Sequence, residues 1–294
     1  MRLALVVNPT SGKGRSAVAA EVVDRILRDA GADVERLVGD DGADALRLCH
    51  AAVASGVDAL VAVGGDGMAH LALQACSGTT TALGIVPTGT GNDLATALGL
   101  PLADPAASAR LLVDGRVRAV DAVRSAEQWW ACVLGTGFDG AVNDRANRMR
   151  WPRGRRRYDL AVIAELRGYR PMRFLLDVDG ARSEVDAMLI AVGNAPSYGG
   201  GMKVCPDAIL DDGLLDVVVV GPLSRTRFLR LFPRVFAGTH VDDSSVTVQR
   251  GRHVTIDGPA AATAYADGER IGGLPLSCVV HAGALRVIGV PAGT

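Results

Sequence analysis

Residues 59–67 read ALVAVGGDG, five apolar residues followed at once by two glycines, an aspartate and a third glycine. A short apolar run that ends at turn-forming residues predicts a buried strand. The pattern occurs twice more, where Leu3–Val7 leads into NPTSGKG at 8–14 and Ala82–Val86 leads into PTGTGN at 87–92. Three strands that each end in a glycine-rich loop are therefore predicted, and in a parallel sheet such loops share one edge.

Helical patterns separate these strands, and a fourth strand is predicted at Val34–Val38. Strands that alternate with helices predict an α/β domain with a doubly wound, mostly parallel sheet. Ligands of such sheets bind at the loops that follow the strands. The predicted helices cover Val18–Leu27, Ala43–Ser55, Met68–Ala75 and Asp93–Ala97.

The pattern changes after about Val120, where short β-branched runs are separated by Gly, Pro, Asp or Asn. Such a series predicts an all-β sandwich or barrel. We therefore expect an α/β domain at 1–120 and a β-rich domain at 121–285, and the tail 286–294 could return to the first. The predicted strands are Trp129–Leu134, Arg173–Val178, Ala187–Val192, Leu215–Val220, Ser245–Val248, His253–Ile256, Ala262–Ala266, Leu276–His281 and Leu285–Val290, with helices at Val142–Arg148, Tyr158–Gly168 and Ser224–Phe236.

Composition excludes several classes of protein. Lys and Arg number 31 against 32 Asp and Glu, and this net charge of -1 argues against general nucleic-acid binding. Five widely spaced cysteines fit neither a disulfide framework nor a zinc site. The first apolar run is too short for a signal peptide, and no later run reaches membrane-spanning length. We expect a protein of the reducing cytoplasm, at most peripherally associated with the inner face of the membrane.

The glycine-rich loops are typical of phosphate-binding sites. Glycine lets backbone N–H groups approach an anion, and each loop opens a helix whose N-terminus favours negative charge. For any single loop the alternative is an ordinary tight turn. Lys13 would place a cation beside a phosphate, or it is a solvated turn residue. The first loop lacks the spacing of a P-loop, so the predicted cradle is of another kind.

Carboxylates stand in two of these loops, Asp66 in the second and Asp93 in the third. Beside a phosphate they would repel it unless a cation intervened, and carboxylate oxygens are the ligands that Mg²⁺ prefers. The two residues therefore predict magnesium at this edge. Asp93 has an alternative role as an N-cap or first-turn residue of its helix.

The motifs together resemble the bacterial diacylglycerol kinase and sphingosine kinase-like lipid kinase family. The match extends over nearly the whole chain, although a lone GGDG loop would also fit NAD kinases and phosphofructokinases. The matching residues, in order, are Asn8-Pro9-x-Ser11-Gly12, Gly64-Gly65-Asp66-Gly67, Pro87-x-Gly89-Thr90-Gly91-Asn92-Asp93-Leu94-Ala95, Gly135-x-Gly137-Phe138-Asp139, Asn194, Tyr198-Gly199-Gly200-Gly201-Met202, Pro206-Asp207-Ala208, Asp211-Asp212-Gly213-Leu214-Leu215-Asp216 and Asp267-Gly268-Glu269.

This resemblance implies a kinase that transfers phosphate from ATP to a lipid hydroxyl, with an NAD kinase-like α/β domain and a β-rich domain. It assigns Glu269 as the general base, and Asp66, Asp93 and, less directly, Asp121 to a magnesium and water network. It also implies a structural magnesium site at the Ile209 and Leu214 carbonyls and the Asp212 carboxylate. The implied ATP contacts are Asn8, Pro9, Thr10, Ser11, Gly12, Lys13, Gly64, Gly65, Asp66, Gly67, Met68, Ala69, His70, Thr90 and Asn92.

Local sequence leaves alternatives open. The segment Asp267-Gly268-Glu269 also reads as a surface hairpin turn. Met68 departs from the family, in which Thr usually follows GGDG. The missing hydroxyl would weaken ATP binding, change the preferred phosphate donor, or have no effect if the backbone holds the nucleotide, so the sequence determines the reaction type better than the donor. His70 could donate to a phosphate, or it lies on a helix surface. The other functions considered are a soluble-substrate kinase of the NAD kinase type and a catalytically silent nucleotide- or lipid-binding regulator.

The segment Arg145–Arg173 contains ten arginines against Asp159 and Glu165, together with Trp151, Tyr158 and Tyr169. Clustered arginines attract anionic headgroups, and Trp and Tyr favour the membrane interface. We therefore expect this segment to dock the protein on the membrane that holds its lipid substrate. The alternatives are a solvated basic face or an interface with a second subunit, and edge strands of the β-rich domain offer another route to a homodimer.

Overall fold

The computed structural model describes residues 1–8, 14–149, 151 and 155–291, except for the side chains of 155, 156 and 159. The chain divides into two units. Unit 1 comprises Met1–Ala122 and the C-terminal segment from His281, and unit 2 comprises Val123–Val280. Both boundaries fall inside strands, so each unit contains part of β5, Val117–Ser125, and part of β16, Leu276–Ile288.

Unit 1 is an α/β domain, as the sequence predicts. Four parallel strands pair in the order β2-β1-β3-β4, and the end of β16 joins beside β4 through Val287 and Leu83. The strands are β1 Arg2–Val7, β2 Asp33–Leu37, β3 Ala59–Gly64 and β4 Ala82–Pro87. The helices are α1 Arg15–Asp29, α2 Gly42–Ala54, α3 Asp66–Cys76, α4 Asp93–Ala97 and α5 Pro105–Asp114.

Helix α5 was not predicted, although its termini carry clear signals. The Asp104 side chain accepts a hydrogen bond from the backbone N–H of Ala107, and Pro105 begins the helix. Gly115 ends it with a φ of 68°. An N-cap, a first-turn proline and a left-handed glycine are the usual start and stop signals of a helix. Its apolar residues pack on the sheet, since Ala109 and Leu112 belong to the core of unit 1.

Unit 2 is a β-sandwich, which agrees with the β-rich prediction. One sheet has the antiparallel order β12-β11-β10-β7-β14-β15, and the other joins the first half of β16 to β13, β8 and β9. Side chains of both sheets share one apolar core. The remaining strands are β6 Gln128–Trp130, β7 Val133–Gly137, β8 Met172–Val178, β9 Ala181–Ala187, β10 Leu189–Gly193, β11 Leu215–Val220, β12 Val246–Gly251, β13 His253–Asp257, β14 Thr263–Ala266 and β15 Glu269–Gly273.

Three helices belong to unit 2: α6 Phe138–Arg148, α7 Arg155–Leu166 and α8 Arg225–Ala237. Three of the predicted strands have other bounds in the structure. The run Trp129–Leu134 is broken at Ala131 and Cys132, which separate β6 from β7, and the two runs predicted from Leu276 onwards form the single strand β16. No helix among the described residues is both long and apolar enough to cross a bilayer.

Candidate active site

The second and third glycine-rich loops meet at the carboxyl ends of the adjacent strands β3 and β4. The Asp66 carboxylate accepts two backbone hydrogen bonds, with Oδ2 2.9 Å from the nitrogen of Asn92 and Oδ1 2.7 Å from that of Asp93. A Cβ on Gly91 would lie 2.3 Å from Asp66 Oδ2. The negative charge of Asp66, which would repel a bound phosphate, is therefore offset in part by two backbone N–H groups. The same hydrogen bonds connect the second loop to the third.

The same two loops touch backbone to backbone. A Cβ on Gly89 would lie 2.6 Å from the Cα of Gly65, and a Cβ on Gly65 would lie 3.1 Å from the Cα of Gly89. A contact below 3.0 Å against backbone requires the chain to shift. Glycine is needed at these positions because the loops approach more closely than a side chain allows.

Replacing Gly89 with Ala is expected to lower the free energy of unfolding by about 1–3 kcal/mol, because the added methyl group forces the loops apart. Urea unfolding measures this directly. Gly42→Ala is the matched control, since a Cβ there meets no atom within 4 Å and the residue begins helix α2. Equal stability of Gly89→Ala and the wild-type protein would contradict the close approach.

Asn92 shapes the third loop from within. Its Oδ1 accepts from the backbone N–H of Gly89 at 3.1 Å, and its Nδ2 donates to the carbonyl of the same residue at 3.0 Å. The backbone of Asn92 has a φ of 59°, a left-handed conformation that asparagine tolerates better than most residues. Asp93 begins helix α4, and Thr90 is exposed at the loop tip.

The first loop is described only at its ends. Asn8 follows β1, and Gly14, with a φ of 87°, is the N-cap residue that precedes helix α1. The predicted ATP contacts Pro9, Thr10, Ser11, Gly12 and Lys13 lie outside the described residues. Sequence reasoning missed Ser16, which is fully buried and whose hydroxyl lies 2.9 Å from that of Thr88. This contact joins the start of α1 to the third loop, so the described end of the first loop lies at the same edge of the sheet as the other two loops.

Helix α3 buries the residues that follow the GGDG motif. Met68 is 8% exposed, and a Cβ on Gly64 would lie 2.6 Å from its Cβ, so Met68 packs against the end of β3. The interpretation of His70 as a helix-surface residue was wrong: His70 is buried, and its Nε2 lies 3.1 Å from Nε2 of Gln74. Ala69 is buried beside them.

Asp121 lies within β5 and is buried. Its Oδ1 accepts a hydrogen bond of 2.8 Å from the backbone N–H of Gly283 in β16. This contact ties the C-terminal strand to unit 1. A metal role for Asp121 stays a prediction, and the contact gives the residue a structural role in unit 1.

In the Asp267-Gly268-Glu269 segment of unit 2, Asp267 and Gly268 form a two-residue hairpin turn between β14 and β15, and Glu269 is the first residue of β15. Asp267 and Gly268 have φ values of 51° and 86°, the left-handed pair that such a turn requires. The hairpin reading is therefore correct. It does not replace the functional one, because Glu269 follows the turn as the exposed first residue of β15.

The turn is anchored by its own aspartate. The Asp267 carboxylate accepts from the backbone N–H groups of Ala131, Cys132 and Val133, at 2.8, 3.0 and 3.2 Å. The buried Asn194 holds the same segment, since its Nδ2 donates to the carbonyl of Ala131 at 2.8 Å. Asp267 and Asn194 thus both hold the backbone of the segment that separates β6 from β7. Because Asp267 lies in the turn just before Glu269, its hydrogen bonds also fix the position of the Glu269 backbone.

The implied structural magnesium site contains an arginine. Asp212 Oδ1 accepts from the backbone N–H of Leu214 at 3.0 Å, and its Oδ2 pairs with the Arg250 guanidinium. Arg250 also contacts the buried Asp216 at 2.5 Å. Because the guanidinium already offsets the charge of both carboxylates, a cation would have to share Asp212 with it. The magnesium site at Asp212 and the carbonyls of Ile209 and Leu214 therefore stays a prediction.

Unit 2 also contains a partly open apolar pocket with a cavity volume of about 60 Å³. Helices α6, α7 and α8 contribute most of its walls. Its polar groups are confined to a buried carboxyl, two tyrosines and a histidine. The lining residues are Phe138, Asp139, Tyr158, Val162, Leu189, Tyr198, Met202, Val204, Val220, Phe228, Leu231, Phe232, Val235 and His240.

Asp139 is the buried carboxyl. Its Oδ1 accepts from the hydroxyls of Tyr158 and Tyr198, at 2.8 and 2.5 Å, and its Oδ2 accepts from Nδ2 of Asn143 at 3.1 Å. Burial raises the pKa of Asp139, and the hydrogen bonds from Tyr198, Tyr158 and Asn143 oppose that rise. The carboxyl thus links helices α6 and α7 at the polar end of the pocket.

Replacing Tyr198 with Phe is expected to destabilise the protein by about 1.5–3 kcal/mol at pH values where Asp139 is ionised, because the buried carboxylate loses a donor. Removing a hydrogen bond to the charged form raises the native-state pKa of Asp139 further above its unfolded value. The loss is therefore fully present above the raised native pKa of the variant and disappears as the pH falls below the native pKa of the wild-type protein. Urea unfolding across a pH series measures it.

Tyr265→Phe is the matched control, because it removes a 2.6 Å hydrogen bond from a tyrosine to the less buried Asp144. We expect its destabilisation to vary less with pH. A loss for Tyr198→Phe that is the same at every pH would show that the hydrogen bond to Asp139 does not cause it.

Residues 2–125 match the diacylglycerol kinase catalytic domain, and residues 132–289 match the YegS C-terminal NAD kinase beta sandwich-like domain. A diacylglycerol kinase of Mycobacterium tuberculosis is 44% identical over 293 residues, which cover 98% of this chain and 94% of that protein. A diacylglycerol kinase of Bacillus subtilis is 26% identical over 277 residues, covering 93% of this chain and 91% of that protein.

The fold agrees with a crystal structure of a putative diacylglycerol kinase from Bacillus anthracis, with a TM-score of 0.83. That comparison covers 100% of this chain and 96% of the other, at 24% sequence identity. A probable YegS-like lipid kinase of Stenotrophomonas maltophilia is 32% identical over 226 residues, covering 71% of this chain and 72% of that protein. The chain belongs to the family of diacylglycerol kinases and YegS-like lipid kinases.

Proposed function

We propose that the protein transfers the γ-phosphate of ATP to a hydroxyl of diacylglycerol or a related lipid, in a reaction that requires Mg²⁺. The observation that carries the lipid half of this proposal is the apolar pocket of unit 2. A kinase for a soluble acceptor such as NAD has no need of a pocket lined by Phe, Leu and Val, whereas an acyl chain gains free energy by leaving water there.

The loops of unit 1 support ATP as the donor. Three strands end in glycine-rich segments at one sheet edge, where backbone N–H groups can surround phosphate oxygens. The N–H groups of Asn92 and Asp93 are already engaged by Asp66, so they shape the loop. The phosphates would then be bound by the first loop and by the segment at Gly64–Gly67.

Magnesium needs few protein ligands in such a site, because it keeps water molecules and binds substrate phosphates. The described residues contain no group of three or more His, Cys, Asp or Glu side chains arranged for a metal. Asp93 and the remaining lone pairs of Asp66 would hold it. When bound, the ion neutralises phosphate charge.

Glu269 would act as the general base. A lipid hydroxyl is a poor nucleophile, and a carboxylate within reach accepts its proton as the oxygen attacks the γ-phosphorus in line. The new O–P bond forms as the bond to the β-phosphate oxygen breaks, and ADP leaves. Asp267 and Asn194 contribute by holding the segment beside the turn, so the base needs no rearrangement of the backbone.

Met68, which suggested a silent regulator, is a buried packing residue, so its side chain gives that alternative no specific support. The test of the proposal is phosphate transfer from labelled Mg-ATP to diacylglycerol, sphingosine, ceramide and monoacylglycerol in mixed micelles, with NAD as the soluble control. Label in phosphatidic acid would support the proposal. Label only in NAD phosphate, or nucleotide binding without transfer to any acceptor, would overturn it.

Peripheral membrane association through Arg145–Arg173 is part of the proposal. Trp151 is 81% exposed, whereas Tyr158 bonds Asp139 and Tyr169 packs edge-on against Phe138, so the expectation of interfacial tyrosines was wrong. Arg145 pairs with Glu165, and Arg173 pairs with Glu184 and Asp186. We therefore expect the positive charge that attracts anionic lipids to come from the arginines that lie between Arg145 and Arg173 in the chain.

Replacing Arg153, Arg155, Arg156 and Arg157 with Gln is expected to weaken binding to phosphatidylglycerol-containing vesicles by about tenfold or more, since each basic residue near an anionic surface contributes about 1 kcal/mol. Arg153 lies outside the described residues, as do the side chains of Arg155 and Arg156. Vesicle sedimentation measures the change.

Four exposed arginines of unit 1, Arg25, Arg110, Arg116 and Arg286, provide a control of equal charge. Their replacement with Gln is expected to have a smaller effect. Equal losses in both variants would mean that net charge and not this segment sets the affinity.

A further inference from the structure

Helix α8 has apolar side chains on an exposed face as well as on its buried face. Its inner side, with Phe228, Leu231 and Val235, lines the pocket. Leu229, Pro233 and Phe236 follow at i, i+4 and i+7 and therefore share a second face, and all three are exposed, Leu229 by 55% and Phe236 by 37%. A surface helix normally has an apolar stripe on its buried side and polar residues elsewhere.

Phe232 connects the two faces. It lines the pocket, and its ring lies 6.2 Å from that of Phe228 on the inner face and 6.0 Å from that of Phe236 on the outer face. The apolar surface is therefore continuous from the inside of the pocket to the outside of the helix. We call Leu229, Pro233 and Phe236 the outer face of α8.

The charge of the helix is wholly basic, with four arginines and no carboxylate. Arg227 and Arg234 turn towards Asp243, at 2.6 and 3.6 Å. Arg225 and Arg230 have no carboxylate partner in the described part of the chain, so two positive charges flank the outer face. Apolar side chains bordered by unpaired arginines are complementary to an anionic bilayer, whose headgroups attract the arginines while its acyl region accepts the apolar residues.

We propose that the outer face of α8 inserts into the surface of an anionic lipid bilayer and places the apolar pocket against the membrane. The inference deepens the proposed function, because a continuous apolar path lets an acyl chain pass from the bilayer into the pocket without crossing water. The outer face of α8 would then be a second membrane-docking element beside the segment Arg145–Arg173. Its apolar side chains would supply the hydrophobic part of the binding free energy.

The first test compares sedimentation of the full chain with vesicles of phosphatidylcholine alone and of phosphatidylcholine containing phosphatidylglycerol. Leu229→Gln with Phe236→Gln is expected to weaken binding to the anionic vesicles about tenfold, because two large side chains no longer leave water. Arg225→Gln with Arg230→Gln should weaken it by a similar factor and only on anionic vesicles. Val18→Gln with Val113→Gln is the matched control, because these are exposed apolar residues on helices of unit 1.

A second measurement does not depend on removing side chains. All five native cysteines are buried, so Leu229→Cys can be labelled selectively with an environment-sensitive fluorophore. We expect a blue shift of its emission on adding anionic vesicles, and none for a label at Val18→Cys. Unchanged emission at Leu229→Cys, together with unchanged sedimentation of the Gln variant, would overturn the proposal.

The remaining outcomes are separated by two controls. If the outer face binds a second copy of the chain, the wild-type protein is a dimer in the absence of vesicles, the Gln variant is a monomer, and the bilayer proposal fails. Phosphorylation of dispersed short-chain diacylglycerol should be the same in the wild-type protein and the Gln variant. If the wild-type protein phosphorylates no lipid but still binds vesicles through α8, the proposed function fails while the docking surface stands.

Discussion

Glu269→Gln is expected to lower kcat for lipid phosphorylation by about a hundredfold to ten thousandfold, the usual contribution of a general base. The side chain keeps its size but can no longer accept a proton. Because Asp267 and Asn194 hold the turn through backbone contacts, the substitution should leave the hairpin and the KM for ATP unchanged. Initial rates with diacylglycerol and varied ATP separate kcat from KM.

Glu127→Gln is the control for this experiment, because Glu127 is also exposed in unit 2 and its carboxylate pairs only with the surface residue Arg124 among the contacts described. Its kcat should equal that of the wild-type protein. If Glu269→Gln lost less than tenfold in kcat, another group would have to accept the proton. A rise in KM without a fall in kcat would instead assign Glu269 to binding.

Asp66→Asn is expected to weaken ATP binding by about tenfold to a hundredfold. The carboxylate accepts from two backbone N–H groups, and an amide offers one oxygen and one NH₂ group to the same pair. Turning an acceptor into a donor against a backbone N–H costs about 1.5–3 kcal/mol, and each 1.4 kcal/mol is a factor of ten in affinity. Isothermal titration with a non-hydrolysable ATP analogue measures the loss.

The magnesium dependence of this loss distinguishes two roles for Asp66. If Asp66 acts by holding the third loop, raising the Mg²⁺ concentration should not restore binding, whereas full restoration would assign the residue chiefly to the metal. Asp104→Asn is the control, because Asp104 also accepts from a backbone N–H but caps helix α5. Asparagine is an equally good cap, so that variant should bind ATP as the wild-type protein does.

The sequence predicted the parts of the fold that local pattern determines. Strands β1, β3 and β4 of unit 1 are nearly continuous apolar runs, and helix α4 has the predicted bounds, Asp93–Ala97. Strand β9 was missed because its residues, ARSEVDA, are mostly exposed at the edge of a sheet and lack an apolar run. Strand β16 was divided in two because Gly283 reads as a turn, although it lies within the strand with a φ of 64°.

The contacts that shape the candidate site could not be predicted, because they join residues far apart in the chain. Asp66 bonds a loop 26 residues later, and Asp267 bonds a segment 134 to 136 residues earlier. From the neighbouring residues alone, Asp66 could be interpreted only as a carboxylate near a phosphate, and Asp267 only as a turn residue. The sequence gives even less indication of the pocket. Its lining residues come from three helices, two strands and the segments that connect them, and their apolar side chains cannot be distinguished from ordinary core residues in the sequence.

The hydrogen bonds between Asp66 and the third loop also bear on protein engineering. The GGDG segment supplies the carboxylate, and the segment 87–93 supplies the two N–H groups and the glycines that leave room for it. A chimera that takes only one of these segments from a relative would combine the Asp66 carboxylate of one protein with the backbone N–H donors of another. The two segments should therefore be transplanted together, and their substitutions in natural homologues should be correlated even though helix α3 and strand β4 separate them in the chain.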